Sequence, residues 1–481
     1  VVSPIRTAAI TNLGCKVNQS EMEAAARLLR ERGVRVVDDG PADLHLVNTC
    51  TVTSTADQKS RQAVRRARRS NPHAEIVVTG CSVQVDSAAF AAADPAARLV
   101  DNRSKAALLD EIAALAGPEP RRPDGSLVAP LPTLAGVELE GAWDDRASVE
   151  RTRAFVKVQD GCSFYCTFCI IPAARGPERS LAPEAVVADV RRAIEQGHRE
   201  VVLTGINVGT YDGGWSERGF RGSHTRSALT LAGLVRRLLD ETPVERLRLS
   251  SIEPQHVDDE LLAVWRDSGG RCLPHFHLPL QSGDDGVLRR MGRRYTTAQY
   301  EAVVERVRAA VPSVAVHADA IVGFPTEGDA AWRRSVDFIR GLRFAGLHVF
   351  RYSARPGTPA IRMAGQVPEA TRRERAAELL AVAAEARAVW AAGRAGSVAD
   401  VLFETRLTDG RWVGHAEDHT AVAVGSEGDL ANSLGRVAID GVDRGQADRV
   451  VGRLVTVAPP RRTLRRPLPI LRSAQGVAHA S

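Results

Sequence analysis

Val158-Gln-Asp-Gly-Cys-Ser-Phe-Tyr-Cys-Thr-Phe-Cys-Ile170 carries Cys162, Cys166 and Cys169 in a C-x3-C-x2-C array directly after an apolar strand candidate, Ala154 to Gln159. Three thiolates leave a cubic iron-sulfur cluster one ligand short, and an iron with a free coordination site can bind a substrate or cofactor. Zinc is the alternative, because tetrahedral thiolate sites suit either metal. A closed structural zinc site wants four ligands, however, and no fourth cysteine lies nearby. The position after a strand also bears on the fold, since barrel chemistry belongs at the carboxyl-end face of parallel strands.

Working outward, five further strand candidates follow, each separated from the next by helical sequence: Glu200 to Thr204, Arg246 to Ser250, His275 to Leu280, Val314 to Val322 and Gly346 to Tyr352. Six strand-then-helix units predict a partial (β/α)6 barrel, short of the eight units of a closed one. Upstream, Thr7 to Asn12, Leu44 to Asn48 and Glu75 to Thr79 read as short buried parallel strands. Each is followed at once by a cysteine, in Asn12-Leu-Gly-Cys15, Val47-Asn-Thr-Cys50 and Val78-Thr-Gly-Cys81. Open α/β sheets bind ligands at that edge, so a second three-thiol site is expected; three buried free cysteines are the plainer reading.

The expected organisation is α/β throughout most of the chain. An open parallel-sheet domain covers 1–116, a Pro- and Gly-rich linker 117–150, the partial barrel 151–395, a small antiparallel β-barrel 396–460 and a basic flexible tail 461–481. The long helix from Glu369 to Arg394 is read with Leu379, Leu380, Ala383, Val389 and Trp390 on one core stripe. A Gly- and Arg-rich insertion, Gly213 to Ser227, reads as a substrate lid or a tolerated surface loop.

Composition bounds the function class. The chain has 481 residues, 44% hydrophobic and 25% charged, with a net charge of +6, which is ordinary for a globular protein of several domains. No secretory core or long uncharged apolar run occurs, so a soluble, cytoplasmic chain without membrane association is expected, with reduced thiols serving as ligands or nucleophiles. The positive charge is clustered at Lys59-Ser-Arg-Gln-Ala-Val-Arg-Arg-Ala-Arg-Arg69 and Arg289-Arg-Met-Gly-Arg-Arg294. Such runs either track phosphates or form solvated helix faces. Cys272 reads as a buried small hydrophobe, and His275 and His277, alternating on a strand, as packed rather than ligating.

Taken together the motifs resemble the radical S-adenosylmethionine (SAM) methylthiotransferases over nearly the whole chain. The resemblance is carried by Gly14-Cys-Lys-Val-Asn-Gln-Ser-Glu21, Asn48-Thr-Cys-Thr-Val52, Gly80-Cys81, the cysteine array with Ile171-Pro172, and Ala174-Arg-Gly176. Leu203-Thr-Gly-Ile-Asn207, Ser250-Ser-Ile-Glu-Pro254, His277-Leu-Pro-Leu-Gln-Ser-Gly283, Gly323-Phe-Pro325 and Arg355-Pro-Gly-Thr358 extend it. Lys-Val after Cys15 resembles the branch acting on N6-threonylcarbamoyladenosine in tRNA. The isopentenyladenosine branch more often has Gln-Met there and the ribosomal-protein branch Pro-Lys, which keeps those two substrates as alternatives.

The resemblance implies a function and its parts. Cys162, Cys166 and Cys169 hold a 4Fe-4S cluster whose open iron binds SAM, and the 5′-deoxyadenosyl radical made there takes hydrogen from C2 of the adenine. A second 4Fe-4S cluster on Cys15, Cys50 and Cys81 presents a sulfur, methylated from another SAM, to that carbon. Thr204, Gly205, Asn207, Glu253, Gln281 and Ser282 are carried over as SAM contacts, and Arg175 as a partner for a carboxylate or phosphate; ordinary strand-end and loop roles are the alternative for each. The small C-terminal barrel is expected to be an RNA-binding TRAM domain. Expected partners are tRNA and an electron donor of flavodoxin or ferredoxin type, with the sulfur donor left unnamed.

Overall fold

The computed structural model describes residues 5–37, 40–102, 108, 112, 114, 152–213 and 229–458. The linker expected at 117–150, the insertion beyond Gly213 and the tail from 461 lie outside the described residues. Two compact units form: one holds the described residues up to 114 with the segment Ile170–Pro177, the other Thr152–Cys169 with the described residues from Glu178 onward.

The first unit is a five-stranded sheet of β1 (Thr7–Asn12), β2 (Arg35–Val37), β3 (Leu44–Thr49), β4 (Glu75–Gly80) and β5 (Arg98–Val100), in the order β2-β1-β3-β4-β5. Every pairing is parallel. A parallel sheet must be covered on both faces, and β3 is accordingly buried along its whole length. The helix Lys16–Glu31 covers one face, packing Met22, Ala25 and Leu29 with Ile10, Leu46 and Val77. Helix Ser54–Ser70 covers the other with Val64 and Ala67 against Val47, Ile76 and Val78. The edge strands β2 and β5, three residues each, have no sequence signal of their own.

In the second unit come β6 (Arg153–Lys157), β7 (Gln159–Asp160), β8 (Arg179–Ser180), β9 (Glu200–Thr204), β10 (Arg246–Leu249), β11 (His275–His277), β12 (Ala315–Val322) and β13 (Gly346–Arg351). β6, β9 and β10 form one parallel sheet, and β11, β12 and β13 another. Parallel bridges Leu247 to Cys272 and Ser251 to His277 join them, so the six expected strands stand in one open row. Cys272 is 4% exposed within the core and its thiol is pushed up to about 12 by burial, as a small hydrophobe would be.

Helix Glu369–Ala392 buries Leu379, Val382 and Ala383, whereas Leu380 and Val389 are exposed. Adjacent residues point about 100° apart on a helix, so the expected stripe could not include both Leu379 and Leu380. The chain then closes a small barrel of β14 (Val398–Arg406), β15 (Trp412–His415), β16 (Ala421–Val424), β17 (Leu434–Asp443) and β18 (Gln446–Ala458), in the order β14-β15-β16-β18-β17. Its pairings are antiparallel apart from β16 with β18. Val401, Phe403, Trp412, Val422 and Val437 fill it.

The amino ends of β6, β9 and β10 are tied to this small barrel by buried charge. Glu200 accepts from Arg246 Nε at 3.0 Å and Arg248 Nε at 2.8 Å, and Arg246 also donates to the carbonyls of Asp400 and His415. Burial alone would raise the Glu200 carboxyl, but the two guanidinium groups outweigh it and hold it well below the usual range. Removing one partner from such a buried set costs on the order of 3–5 kcal/mol, because it leaves an uncompensated charge.

Candidate cluster and cofactor sites

Cys15 immediately precedes the helix Lys16–Glu31, Cys50 follows β3, and Cys81 opens the short helix Cys81–Val85 after β4. β1, β3 and β4 are neighbours whose ends are in register, Asn12 beside Asn48 and Asn48 beside Thr79. The three thiols therefore leave the carboxyl edge of one sheet side by side. Backbone geometry is tailored to this. Gly80 has φ +106°, and a Cβ there would stand 2.4 Å from the Thr49 carbonyl; a Cβ on Gly14 would stand 2.3 Å from Asn18 Nδ2. Asn18 and Asn48 lock the loops together: Asn18 Nδ2 donates to Asn48 Oδ1 at 2.9 Å, and Asn48 Nδ2 to the Asn18 carbonyl at 3.1 Å.

The half-buried Cys50 thiol is pushed up to about 12, first by burial and then by the neighbouring Cys81 and Cys15 sulfurs. A thiol that resists ionisation is one that a metal must deprotonate on binding, which couples occupancy to pH. Arg175 lies in the same unit, paired with Glu21 at 3.2 Å and hydrogen-bonded to Asn18. Its guanidinium thus braces the Cys15 loop.

In the second unit the cysteine loop runs from Gly161, at φ +72°. The Cys169 N–H donates to the Cys166 carbonyl, Thr167 N to the Met291 carbonyl and Ala360 N to the Thr167 carbonyl, each at 2.9 Å. Burial pushes the Cys162 thiol up to about 11 despite the Phe164 N–H that favours its ionised form, and the Cys166 sulfur adds to the rise. Arg293 turns inward from its basic run: Nη1 lies 3.4 Å from Cys166 Sγ, Nε donates to Tyr295 Oη at 3.1 Å, and the group pairs with Glu253. The Glu253 carboxyl is raised by burial, with Arg293 opposing.

Gln159, fully buried, joins this loop to the end of β9. Its Oε1 accepts from the N–H groups of Ile206 and Asn207, and its Nε2 donates to the Gly161 carbonyl at 2.8 Å. Gly205 leaves room for that side chain, since a Cβ would lie 2.9 Å from Oε1. Thr204 Oγ1, Ser250 Oγ and both side-chain polar atoms of Asn207 are buried without hydrogen-bond partners. Buried polar atoms are normally satisfied, so this set is open to a polar ligand. Ser282 is engaged with Ser335 Oγ at 3.1 Å, and Gln281 takes a left-handed backbone, φ +71°, that joins β11 to β12 through its N–H and carbonyl.

Several groups at these sites were not singled out from the sequence: Gln159, Arg293, Asn18, Asn48, Asp319 and His348. Asp319 lies 2.9 Å from His277 Nε2 and 3.0 Å from His348 Nδ1. His275 instead joins a ring cluster, 4.7 Å from His317 and 5.1 Å from His419.

Residues 7–101 match the model of an uncharacterized protein family, UPF0004, and residues 156–339 that of the radical SAM superfamily. The chain is 36% identical to the threonylcarbamoyladenosine tRNA methylthiotransferase MtaB of Bacillus subtilis, across 90% of this chain and 93% of that one. It belongs to the MtaB-type radical SAM methylthiotransferases. The MtaB of Chlamydia pneumoniae, also 36% identical, aligns with 92% of this methylthiotransferase and 97% of its own length. The tRNA-2-methylthio-N(6)-dimethylallyladenosine synthase of Maricaulis maris is 32% identical over 90% and 95%. Among solved structures, the radical S-adenosylmethionine methyltransferase TsrM from Kitasatospora setae matches with a TM-score of 0.50 at 16% identity, over 72% of this chain and 73% of that one. That likeness supports the fold. Among the described residues no helix is long and apolar enough to cross a membrane.

Proposed function

We propose that this methylthiotransferase places a methylthio group on C2 of N6-threonylcarbamoyladenosine at position 37 of tRNA. One observation carries the reading: two three-cysteine sites, each at the carboxyl ends of parallel strands and each a ligand short, in a chain alignable with MtaB over 90% of its length. Their spacing favours clusters over zinc. A closed structural zinc site wants four ligands, and neither set has a fourth cysteine nearby.

When bound, the cluster at Cys162, Cys166 and Cys169 supplies an open iron and an electron for SAM cleavage, and that at Cys15, Cys50 and Cys81 supplies the sulfur. The protein's residues divide the remaining tasks. Thr204 and Asn207 offer unpartnered hydroxyl and amide groups to the polar end of SAM, and Gln159 holds their loop against the cysteine loop. Glu253, held by Arg293, would meet the ribose hydroxyls of SAM, and Gly205, Gln281 and Ser282 are the further residues assigned to its binding. Arg175 positions the Cys15 loop. The small barrel and the exposed Arg65, Arg66 and Arg69 hold RNA, a flavodoxin- or ferredoxin-type protein delivers the electron, and the setting is the cytoplasm.

The test is the nucleoside profile of tRNA from a strain lacking this gene. Loss of 2-methylthio-N6-threonylcarbamoyladenosine, with its precursor retained, is expected. Persistence of that nucleoside with no other enzyme to supply it overturns the assignment, and loss of the isopentenyl derivative in its place moves the substrate to the other tRNA branch.

A further inference from the structure

β12 and β13 each present one face to the helices and one to the lumen of the open barrel. Val316, Ala318, Ala320 and Val322 on β12, and Leu347 with Val349 on β13, pack into the core. Residues alternate across a strand, so His317, Asp319 and Ile321, and His348 with Phe350, occupy the lumen face. Asp319 stands opposite His348 and Ile321 opposite Phe350 in the parallel register. His348 and Phe350 are 49% and 38% exposed there, whereas Leu347 is buried and Val349 half-buried.

The polar members of this wall are pre-set. Asp319 accepts from His348 Nδ1 at 3.0 Å, which leaves His348 Nε2 directed away from the carboxylate. On the other side His277, 8% exposed, brings Nε2 to 2.9 Å of the same Asp319 carboxylate. A flat aromatic face thus lies two residues nearer the strand ends than a braced imidazole. An apolar ligand here would bury His277, Asp319 and His348 with no new partner, at a cost that a polar ligand avoids.

From this geometry we propose that Phe350 stacks the target adenine and that His348, braced by Asp319 and His277, reads a polar, acidic substituent on N6. This rests on the functional reading above and specifies how that site rejects an adenosine with an apolar substituent. An adenine stacked on Phe350 with N6 pointing down the lumen carries C2 toward the strand ends, because C6 and C2 flank N1. Stacking is blind to the substituent, whereas a site built to hydrogen-bond strongly rejects an analogue lacking the group. Phe350 therefore sets affinity and His348 sets choice.

The experiment compares two anticodon stem-loop RNAs that differ only in carrying threonylcarbamoyl or isopentenyl on N6 of the target adenosine. Binding to the full-length protein is followed by fluorescence anisotropy, and the ratio of turnover on the two RNAs is taken within each anaerobically reconstituted preparation. The wild type is expected to prefer the threonylcarbamoyl loop, and His348→Phe to reduce that preference ~10- to 100-fold, the range for one hydrogen bond to a charged group. His348→Gln, which keeps a polar head, retains most of it. Phe350→Ala weakens both loops by a similar factor and leaves their ratio alone, with an unchanged melting temperature separating this from a general loss of folding. If the wild type prefers the threonylcarbamoyl loop and His348→Phe keeps that preference, the inference is overturned while the functional reading stands. If the wild type shows no preference and no turnover on that loop, the functional reading fails and the inference with it.

Discussion

Gln159 Oε1 accepts the backbone N–H of Asn207 at 2.9 Å, so one side chain spans the cysteine loop and the loop that closes β9. The same oxygen takes the Ile206 N–H at 2.9 Å, and Nε2 anchors the Gly161 carbonyl at 2.8 Å. Gln159→Ala leaves these buried groups unsatisfied, at ~1–3 kcal/mol for each that water cannot reach. A lowered melting temperature and weaker SAM binding by calorimetry are expected together; unchanged SAM affinity would mean the clamp serves stability alone.

Gly80→Ala acts on the other site. The left-handed backbone, φ +106°, and the 2.4 Å approach of a new Cβ to the Thr49 carbonyl cannot both be relieved without moving Cys81. A loss of more than ~1 kcal/mol is expected, as for alanine at positive φ, with iron content after anaerobic reconstitution falling by about half. Iron that stays at the wild-type level of about eight per chain would contradict the assigned role of this turn.

Charge pairing between the two barrels of the second unit predicts an acid dependence. Burial raises the Glu404 carboxyl, but His415 and Arg153 outweigh it and hold it at about 2, against an ordinary value of 4.5. A folded-state pKa below the unfolded one contributes stability that is present above about 4.5 and is lost as pH falls toward 2. Thermal unfolding followed from pH 7 to pH 3 should therefore steepen below 4.5, and Glu404→Gln should flatten that slope while lowering stability at pH 7. An unchanged slope in the variant would assign the acid sensitivity to other groups.

The basic helix separates into two kinds of arginine. Arg68 pairs with Asp94 at 2.9 Å and donates to the Pro72 and Ala74 carbonyls, so Arg68→Ala should destabilise the first unit. Arg65, Arg66 and Arg69 are exposed. Replacing Arg65 and Arg69 with Gln should leave the melting temperature within about 2 °C, weaken tRNA binding and reduce the slope of log K against log salt by roughly two, about one for each phosphate no longer neutralised. An unaltered salt slope would remove this face from the RNA path.

What could be read from sequence, and what could not, follows from how local each signal is. Cys15, Cys50 and Cys81 were legible because each directly follows an apolar strand run, and parallel strands align their ends. Gln159 has no such signal, since its partners Ile206 and Asn207 lie 47 and 48 residues away. Arg293 was hidden inside a run that reads as surface charge, and only the left-handed Gly292 ending helix Asp285–Met291 turns it toward Cys166. Asp319 and His348 are 29 residues apart, joined only by the register of β12 and β13. The edge strands β2 and β5 carry three residues each, too few for periodicity to register.

The division of labour between the two cysteine sites is the central claim, and Cys50→Ala tests it most directly. Reconstituted anaerobically with SAM, reductant and tRNA bearing N6-threonylcarbamoyladenosine, the variant should still release 5′-deoxyadenosine yet form no 2-methylthio nucleoside by mass spectrometry, whereas Cys166→Ala should release neither. Formation of the 2-methylthio nucleoside by Cys50→Ala would contradict the account.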